Sequence, residues 1–228
     1  MLKAITSKEI TSYANDPERP ESPCISRVKT YKTARGPLFL QSCCSPALVE
    51  ELQADEGLCA FARLSEREHQ LLLTLARQPA NRLTLAYTPA GKIVGQVTLA
   101  PLDGRWQGIG NAYEIAIEVS PAFRNLGVAH QLLSLALDFE SVGEYLIVAL
   151  GLSWHWDYVG LGISRFQYRE LLARLFAAHG FAEYLTSEAN IRMDPANILV
   201  ARLGRCLGQE SMNRFFERLF QSETLPGL

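Results

Sequence analysis

One segment, residues 118–129 (EVSPAFRNLGVA), constrains the fold more than any other part of the chain. An alternating apolar stretch ends there at Pro121, and the residues that follow lead directly into an apolar-periodic helix. Proline cannot donate to a sheet ladder, so the strand stops before it. Arg124 and Gly127 then lie in a loop at a helix N-terminus, where free N–H groups and the macrodipole favour an anion. The segment therefore predicts a strand–loop–helix unit that binds phosphate.

Two common phosphate-binding loops do not fit this segment. A P-loop needs Gly-Lys-Ser or Gly-Lys-Thr after its glycines, and residues 126–129 (LGVA) contain neither. A dinucleotide-binding fingerprint needs three glycines and an acidic residue at the end of the next strand, and both are missing here. The pattern that remains is Val-x-Pro-x-x-Arg-x-x-Gly-x-Ala. The alternative is an ordinary strand-to-helix turn that carries an arginine.

The order of predicted elements around this segment is typical of an α+β fold. The predicted strands cover 38–40, 83–87, 93–100, 113–119, 145–150, 181–185 and 198–203. The predicted helices cover 46–53, 66–77, 128 to about 143, 164–179 and an amphipathic stretch from Met212 to Leu219. We expect an N-terminal extension over residues 1–36, extended or mobile in part, a main domain over 37–205, and a helical extension over 206–228.

Composition and charge exclude several classes of protein. A formal net charge of −2 gives no basic footprint for nucleic acid. No apolar run approaches the roughly 18 residues that a membrane span needs, and the N-terminus lacks the apolar core of a secretory signal. We therefore expect a cytoplasmic protein. Basic residues between 27 and 35 favour either a solvated edge strand or, less strongly, a contact with an acidic partner.

The cysteines give no sign of a disulfide framework or a metal site. The chain has five, at positions 24, 43, 44, 59 and 206. An odd number without a Cys-x-x-Cys pair argues against both. We predict five reduced thiols and no bound metal.

The 118–129 pattern resembles the acyl-CoA loop of the GNAT N-acetyltransferase superfamily, whose usual form is Arg/Gln-x-x-Gly-x-Gly/Ala. The resemblance implies acetyl-CoA as cosubstrate. It also implies the GNAT fold, a mixed and mostly antiparallel sheet flanked by helices, here with a C-terminal amphipathic helix. The residues that it implies for the cosubstrate, through backbone or side chain, are Ile117, Val119, Arg124, Asn125, Leu126, Gly127, Val128 and Ala129.

Acyl transfer to an amine requires a neutral amine, whereas a free lysine has a pKa near 10.4. A carboxylate that removes the proton therefore helps. Strand alternation puts Glu114 and Glu118 on one face of the strand that feeds the loop. We expect Glu118, the nearer to the loop, to be the general base. For Glu114 the alternative is a solvated residue or a salt-bridge partner.

Further motifs resemble the acetoin utilization protein A acetyltransferases. The shared features are Ala116-Ile117-Glu118-Val119, Trp154-His155-Trp156-Asp157, Gly160-Leu161-Gly162, Pro195-Ala196-Asn197 and Gln209-Glu210-Ser211. This resemblance implies a protein lysine acetyltransferase that modifies and inactivates AMP-forming acetyl-CoA synthetase, with Glu118 at the catalytic position. Two alternatives stay open: a small-molecule amine acetyltransferase, and a non-catalytic acyl-CoA-binding module. Monomer and homodimer are both open.

One family feature is missing from the chain. Many GNAT enzymes have a tyrosine at the position of Phe176, where it protonates the leaving thiolate. Tyr158, Tyr168, His155 and water are the remaining candidates. We expect Trp154, Trp156 and Asp157 to bind the acceptor substrate, with two alternatives: His155 as a packed structural residue and Asp157 as a turn cap.

Overall fold

A computed structural model of the chain describes residues 24–221. Its strands are β1 (Val28–Thr33), β2 (Gly36–Gln41), β3 (Gln53–Ala54), β4 (Arg82–Tyr87), β5 (Lys92–Pro101), β6 (Ala112–Val119), β7 (Leu146–Gly151), β8 (Ala182–Glu183) and β9 (Ile198–Leu203). Its helices are α1 (Pro46–Glu51), α2 (Ser65–Ala76), α3 (Val128–Ala136), α4 (Arg165–Ala177), α5 (Ala189–Arg192) and α6 (Gln209–Leu219). The described strands form one sheet in the order β1-β2-β4-β5-β6-β7-β9-β8, with β3 beside β5.

The sheet is mostly antiparallel, with two parallel pairs, the short β3–β5 pair and the β6–β7 pair at the centre. β6 and β7 pair in parallel from Ala112 opposite Leu146 to Glu114 opposite Val148. Beyond Glu114, β6 continues to Val119 without a paired residue on β7, although it stays paired with β5 throughout. The two strands therefore diverge, and one edge of β6 has no sheet partner beyond Glu114. This architecture confirms the predicted GNAT fold class.

Helices cover both faces of the sheet. On one face, Leu132 and Leu133 of α3 and Phe176 of α4 pack against Tyr113 and Ile115 of β6. Such close packing of large apolar side chains stabilises the layers. On the other face, buried residues of α6 belong to a second apolar cluster that includes Trp106. A third cluster joins α1 and α2 to β4 and β5.

The basic residues near the N-terminus contact the same chain. Arg27 forms an ion pair with Asp138, just beyond α3, and Lys29 Nζ donates to Gln131 Oε1 at 2.9 Å. The edge-strand interpretation is thus confirmed, and the sheet begins at Val28, inside the predicted N-terminal extension. Residues 1–23 of that extension lie outside the described residues. So do residues 222–228 of the predicted C-terminal extension.

Three elements differ from the sequence prediction for identifiable reasons. β3 and α5 have only two and four residues, too few to show periodicity. α3 ends at Ala136, although the apolar stripe predicted a helix to about residue 143. Leu137 and Phe139 still pack against the main core after the helix has ended. The apolar pattern at these residues therefore reflects packing against the core and not a continued helix.

The prediction of five reduced thiols is wrong, because Cys24 and Cys43 form a disulfide with Cα atoms 5.7 Å apart. The cause is the β1–β2 hairpin, which pairs Val28 with Gln41 and extends as a hydrogen bond from Ser42 N–H to the Arg27 carbonyl. The residues flanking the ladder are thereby brought face to face. Local spacing rules do not detect such a long-range pairing.

Residues 24–221 contain neither a membrane-spanning helix nor a metal-binding group. None of their helices combines the length and apolar character that a membrane span requires. They also contain no group of His, Cys, Asp and Glu side chains arranged to hold a metal ion.

The disulfide predicts a stepwise alkylation pattern. In the folded, unreduced protein we expect iodoacetamide to modify Cys59 and Cys206, which are exposed. Cys44 is buried, and burial raises the pKa of its thiol to about 12, so it reacts only after unfolding. Reduction then releases Cys24 and Cys43. Intact-mass spectrometry measures each step, and five modified thiols in the unfolded, unreduced protein would contradict the disulfide.

Candidate active site

Glu118 lies buried near the end of β6, with 7% of its surface exposed. Its Oε1 accepts two hydrogen bonds, from the N–H groups of Cys59 and Ala60, each at 2.8 Å. Both amides belong to the loop between β3 and α2. The second oxygen, Oε2, is buried and has no hydrogen-bond partner among the described residues. One oxygen thus fixes the carboxylate and the other remains free to accept a proton.

The surroundings raise the pKa of Glu118 to about 7. Burial is the largest cause, because a charged carboxylate loses its hydration there. The negative charge of Glu68 acts in the same direction. The two backbone amides and the guanidinium of Arg124 oppose the shift. A carboxylate with a pKa near neutrality can exchange a proton at ordinary pH.

Glu114 does not join this cluster. It lies on the same face of β6, but four residues earlier, which is about 13 Å along a strand. Burial raises its pKa to about 7, and the charges that add to the shift are Asp103 and Glu188. The structure therefore separates the two glutamates into different environments.

His155 lies at the end of a short 3₁₀ turn, Ser153–His155, directly after β7. Its Nδ1 is 2.8 Å from the carbonyl oxygen of Ala60. Because a carbonyl oxygen only accepts, Nδ1 carries the hydrogen in this bond. The N–H of Ala60 binds Glu118 and its C=O binds His155, so one residue of the loop connects the two side chains.

The turn that carries His155 is anchored from the C-terminal side of the chain. Asn197, buried with 5% of its surface exposed, accepts the N–H of Ser153 through Oδ1 at 2.7 Å. The hydroxyl of Ser153 donates to Asp194 Oδ2 at 2.8 Å. These bonds give a physical reason for the Pro195-Ala196-Asn197 motif, since it supports the Trp-His-Trp-Asp block.

Arg124 and Asp157 connect the phosphate-loop segment to the same cluster. Arg124 Nη1 lies 2.7 Å from Asp157 Oδ2, and its Nε donates to the Val119 carbonyl at 3.2 Å. Asp157 Oδ1 also accepts the N–H of Gly160 at 2.9 Å. Asp157 therefore caps a turn, the alternative considered for it above. A Cβ at position 160 would collide with this carboxylate, which explains the glycine.

The segment from Arg124 to Ala129 has the backbone geometry of an anion loop. Asn125 has φ 59° and Gly127, the N-cap of α3, has φ 74°. The first intrahelical bond runs from Gln131 N–H to the Gly127 carbonyl. The N–H groups of residues 128–130 therefore lack intrahelical partners, as at any helix N-terminus.

Tyr31 of β1 supports this loop, a contact that sequence reasoning missed. Its hydroxyl donates to the Leu126 carbonyl at 2.9 Å. A Cβ at position 127 would lie 2.6 Å from the same hydroxyl oxygen. Gly127 is thus required both by its positive φ and by this approach. The sequence offers no motif for Tyr31, because the contact spans nearly a hundred residues.

Tyr168 of α4, rather than Tyr158, lies within the cluster. Its ring stacks on Trp156 with centroids 5.2 Å apart. Burial raises the pKa of its hydroxyl, and Arg124, Asp157 and Glu118 all act on it electrostatically. The hydroxyl of Tyr158 makes no side-chain hydrogen bond within residues 24–221, although its carbonyl accepts from Ile163. Phe176 packs edge-on against Phe181 in the core.

The structure brings together residues from four separate parts of the chain. The group comprises Glu118, Arg124, His155, Trp156, Asp157, Tyr168 and the loop residues Cys59 and Ala60. Trp154 stands beside His155 with 45% of its surface exposed. Sequence reasoning missed the contribution of residues 59–62, because backbone N–H donors leave no side-chain signature.

Comparison with known proteins agrees with this geometry. Residues 46–149 match the model of the Acetyltransferase (GNAT) family. The chain is 33% identical to the acetoin utilization protein AcuA of Bacillus licheniformis over 82% of this chain and 90% of that protein. It is also 33% identical to AcuA of Bacillus subtilis, with 82% and 93% covered. The crystal structure of an acetoin utilization protein from Exiguobacterium sibiricum superposes with a TM-score of 0.83 at 26% identity, covering 88% of this chain and 97% of that one.

The anchor at Asn197 predicts a loss of stability and of rate. Asn197→Ala leaves the Ser153 N–H buried without an acceptor, at a cost of about 2 kcal/mol. For a chain of this size the Tm falls by roughly 4–8 °C. Turnover falls as well, because the turn that carries His155 loosens. Asn213→Ala on the exposed face of α6 is the control, and equal Tm values for the two variants would contradict the anchor. Calorimetry and initial rates measure both effects.

Proposed function

The chain belongs to the AcuA family of GNAT acetyltransferases, and from this premise we propose that it acetylates a lysine side chain of another protein. As a member of this family it is an acetyl-CoA-dependent N-acetyltransferase. The acceptor that we propose is AMP-forming acetyl-CoA synthetase, which the enzyme would inactivate. The observation that carries the catalytic part of the proposal is the free, buried Oε2 of Glu118.

The chain offers backbone groups for two parts of the cosubstrate, the pyrophosphate and the acyl arm. We assign the pyrophosphate of acetyl-CoA to the loop from Arg124 to Ala129, where free N–H groups and a helix N-terminus favour its charge. The unpaired edge of β6 beyond Glu114 supplies further backbone donors and acceptors, and Ile117 and Val119 lie on that part of the strand. We assign these backbone groups to the acyl arm, where a donor aimed at the carbonyl oxygen stabilises developing charge.

Glu118 acts as the general base in this proposal. Its Oε2 takes a proton from the ammonium of the acceptor lysine, which leaves a neutral amine nitrogen. Oε1 keeps its two amide bonds throughout, so the carboxylate does not have to move. Because the pKa of Glu118 is about 7, its carboxyl group is ionised in about half of the molecules at pH 7.

Tyr168 is our candidate for the general acid. The amine nitrogen bonds to the acetyl carbon, the C–S bond breaks, and the electron pair stays on sulfur. The Tyr168 hydroxyl then donates its proton to the thiolate, and the second proton that the nitrogen loses as the amide forms passes to the resulting phenolate and restores the hydroxyl. Burial keeps this hydroxyl protonated at neutral pH, because it raises the pKa. In this proposal Tyr168 takes the role of the tyrosine that many GNAT enzymes have at the position of Phe176.

The residues that we assign to the acceptor are better suited to an amine on a protein than to a small polyamine. Trp154 presents a large apolar ring to solvent beside His155, and aromatic side chains of this kind are enriched at protein interfaces. Asp157, the acidic residue of the Trp-His-Trp-Asp block, is occupied by Arg124 and Gly160. A polyamine would need uncompensated carboxylates at this position.

Removal of the base predicts a selective loss of turnover. In Glu118→Gln we expect kcat to fall by roughly 100-fold or more, with unchanged affinity for acetyl-CoA measured by calorimetry. In the wild type, kcat/KM rises with pH and levels off above about 7, because only the ionised carboxylate accepts the proton. Glu114→Gln, on the same strand face, is the matched control. If Glu114→Gln alone lost activity, the base would have to be reassigned.

The acceptor is tested by direct modification. Incubation of the enzyme with acetyl-CoA and an AMP-forming acetyl-CoA synthetase is expected to yield one dominant acetyl-lysine and a parallel loss of synthetase activity. Peptide mass spectrometry locates the modified residue, and Glu118→Gln serves as the inactive control. Turnover of spermidine or free lysine without acetylation of the synthetase would instead favour a small-molecule acceptor.

A further inference from the structure

We propose that Glu68 is a positioning residue for the proposed base, because it holds the loop whose backbone amides donate hydrogen bonds to Glu118. The inference rests on the role proposed above for Glu118. Glu68 lies on the first turns of α2 and is fully buried. Its Oε2 accepts the N–H of Ala62 at 2.8 Å. We call residues Cys59–Ala62 the amide loop.

The amide loop lies between two buried carboxylates. Its first two N–H groups, from Cys59 and Ala60, point to Glu118, and that of Ala62 points to Glu68. Between them, the Ala60 carbonyl accepts from His155. This segment has no helix or strand ladder, and one backbone bond, from the Arg63 N–H to the Cys59 carbonyl, closes its turn. The side-chain contacts satisfy the amides of Cys59, Ala60 and Ala62 and so help to determine where they point. Loss of Glu68 would therefore free one end of the segment that orients the base.

A purely structural role does not explain a carboxylate at this position. Leu58, Leu72 and Leu73 form an apolar cluster in this part of the chain. Glu68 Oε1 is buried and has no hydrogen-bond partner among the described residues. Burial of a charge that is only partly hydrogen-bonded is costly, and a neutral glutamine could accept the same N–H from Ala62. The Ala62 contact alone therefore does not require a carboxylate at this position.

The charge acts on Glu118. Among the charged groups that influence the base, Glu68 raises its pKa and Arg124 lowers it. Both carboxylates have raised pKa values, chiefly through burial. The titratable groups that interact with Glu118 from the surrounding elements are Glu68 on α2, Cys59 on the amide loop, Arg124 after β6 and Tyr168 on α4. His155 and Asp157, after β7, contact the Ala60 carbonyl and Arg124 instead. Glu68 is the residue of this group that both fixes the amide loop and opposes ionisation of the base.

Two substitutions separate these two effects. Glu68→Gln keeps an acceptor for Ala62 N–H but removes the charge, whereas Glu68→Ala removes both. Glu66→Gln, an exposed glutamate on the first turn of the same helix, is the matched control. For each variant we would measure the Tm, acetyl-CoA affinity, the pH profile of kcat/KM, and hydrogen exchange of the Cys59 and Ala60 amides by NMR.

In Glu68→Gln we expect the acidic limb of the pH profile to move to lower pH by about one unit, with unchanged exchange at both amides. In Glu68→Ala we expect exchange at Cys59 and Ala60 to accelerate at least about tenfold and kcat to fall, with acetyl-CoA affinity retained. Glu66→Gln is expected to match the wild type in all four measurements.

Two results would overturn the inference. One is a Glu68→Ala protein whose amide exchange and kcat equal those of Glu66→Gln. The other is a Glu68→Gln protein whose pH profile is that of the wild type although Glu118→Gln is inactive. If Glu118→Gln kept full activity, the proposed base would fail instead. The exchange rates of the two amides would still decide whether Glu68 holds the loop.

Discussion

The divergence of β6 from β7 after Glu114 is the constraint on which the rest of the site depends. Strands that remained paired would satisfy each other's backbone groups and close the sheet. Here one edge of β6 is left without a sheet partner over its last residues, while β5 holds the opposite edge in register. The same half of β6 carries Glu118, and the 124–129 loop follows it directly. One departure from regular pairing therefore leaves backbone groups of β6 without a sheet partner on the half of the strand that carries Glu118.

This arrangement has a cost in stability that depends on pH. Glu114 and Glu118 both have pKa values near 7, well above the 4.5 of an exposed glutamate, mainly through burial. Below pH 4.5 both states of the protein bind these protons, and the folded state bears no penalty. Between 4.5 and about 7 the folded state binds more protons than the unfolded state, so stability falls as pH rises. At the pH where Glu118 would work as the proposed base, its charge weakens the fold, a trade that active sites often make.

Local sequence patterns predicted most of the fold and the strand–loop–helix unit to which we assign the cosubstrate. Period-two and period-3.6 apolar patterns located the main strands and helices, and Pro121, Arg124 and Gly127 marked the loop within one continuous segment. What failed has a common physical cause. The Cys24–Cys43 disulfide, the support from Tyr31 and the anchor at Asn197 all join residues far apart in sequence. No pattern within a short window can contain such a contact.

The surroundings of Glu118 are still harder to predict from sequence, because its hydrogen-bond partners are distant in the chain and are backbone groups. The amides of Cys59 and Ala60 would bind Glu118 equally well with many other side chains at those positions. What must be kept is the direction of the N–H groups, which depends on β3, on α2 and on the contact of Ala62 with Glu68. The amide loop also touches His155, next to the exposed Trp154. In the proposed function, an acceptor that docks there would contact the same segment that orients Glu118, so the proposed acceptor surface and the proposed base would be connected through the amide loop.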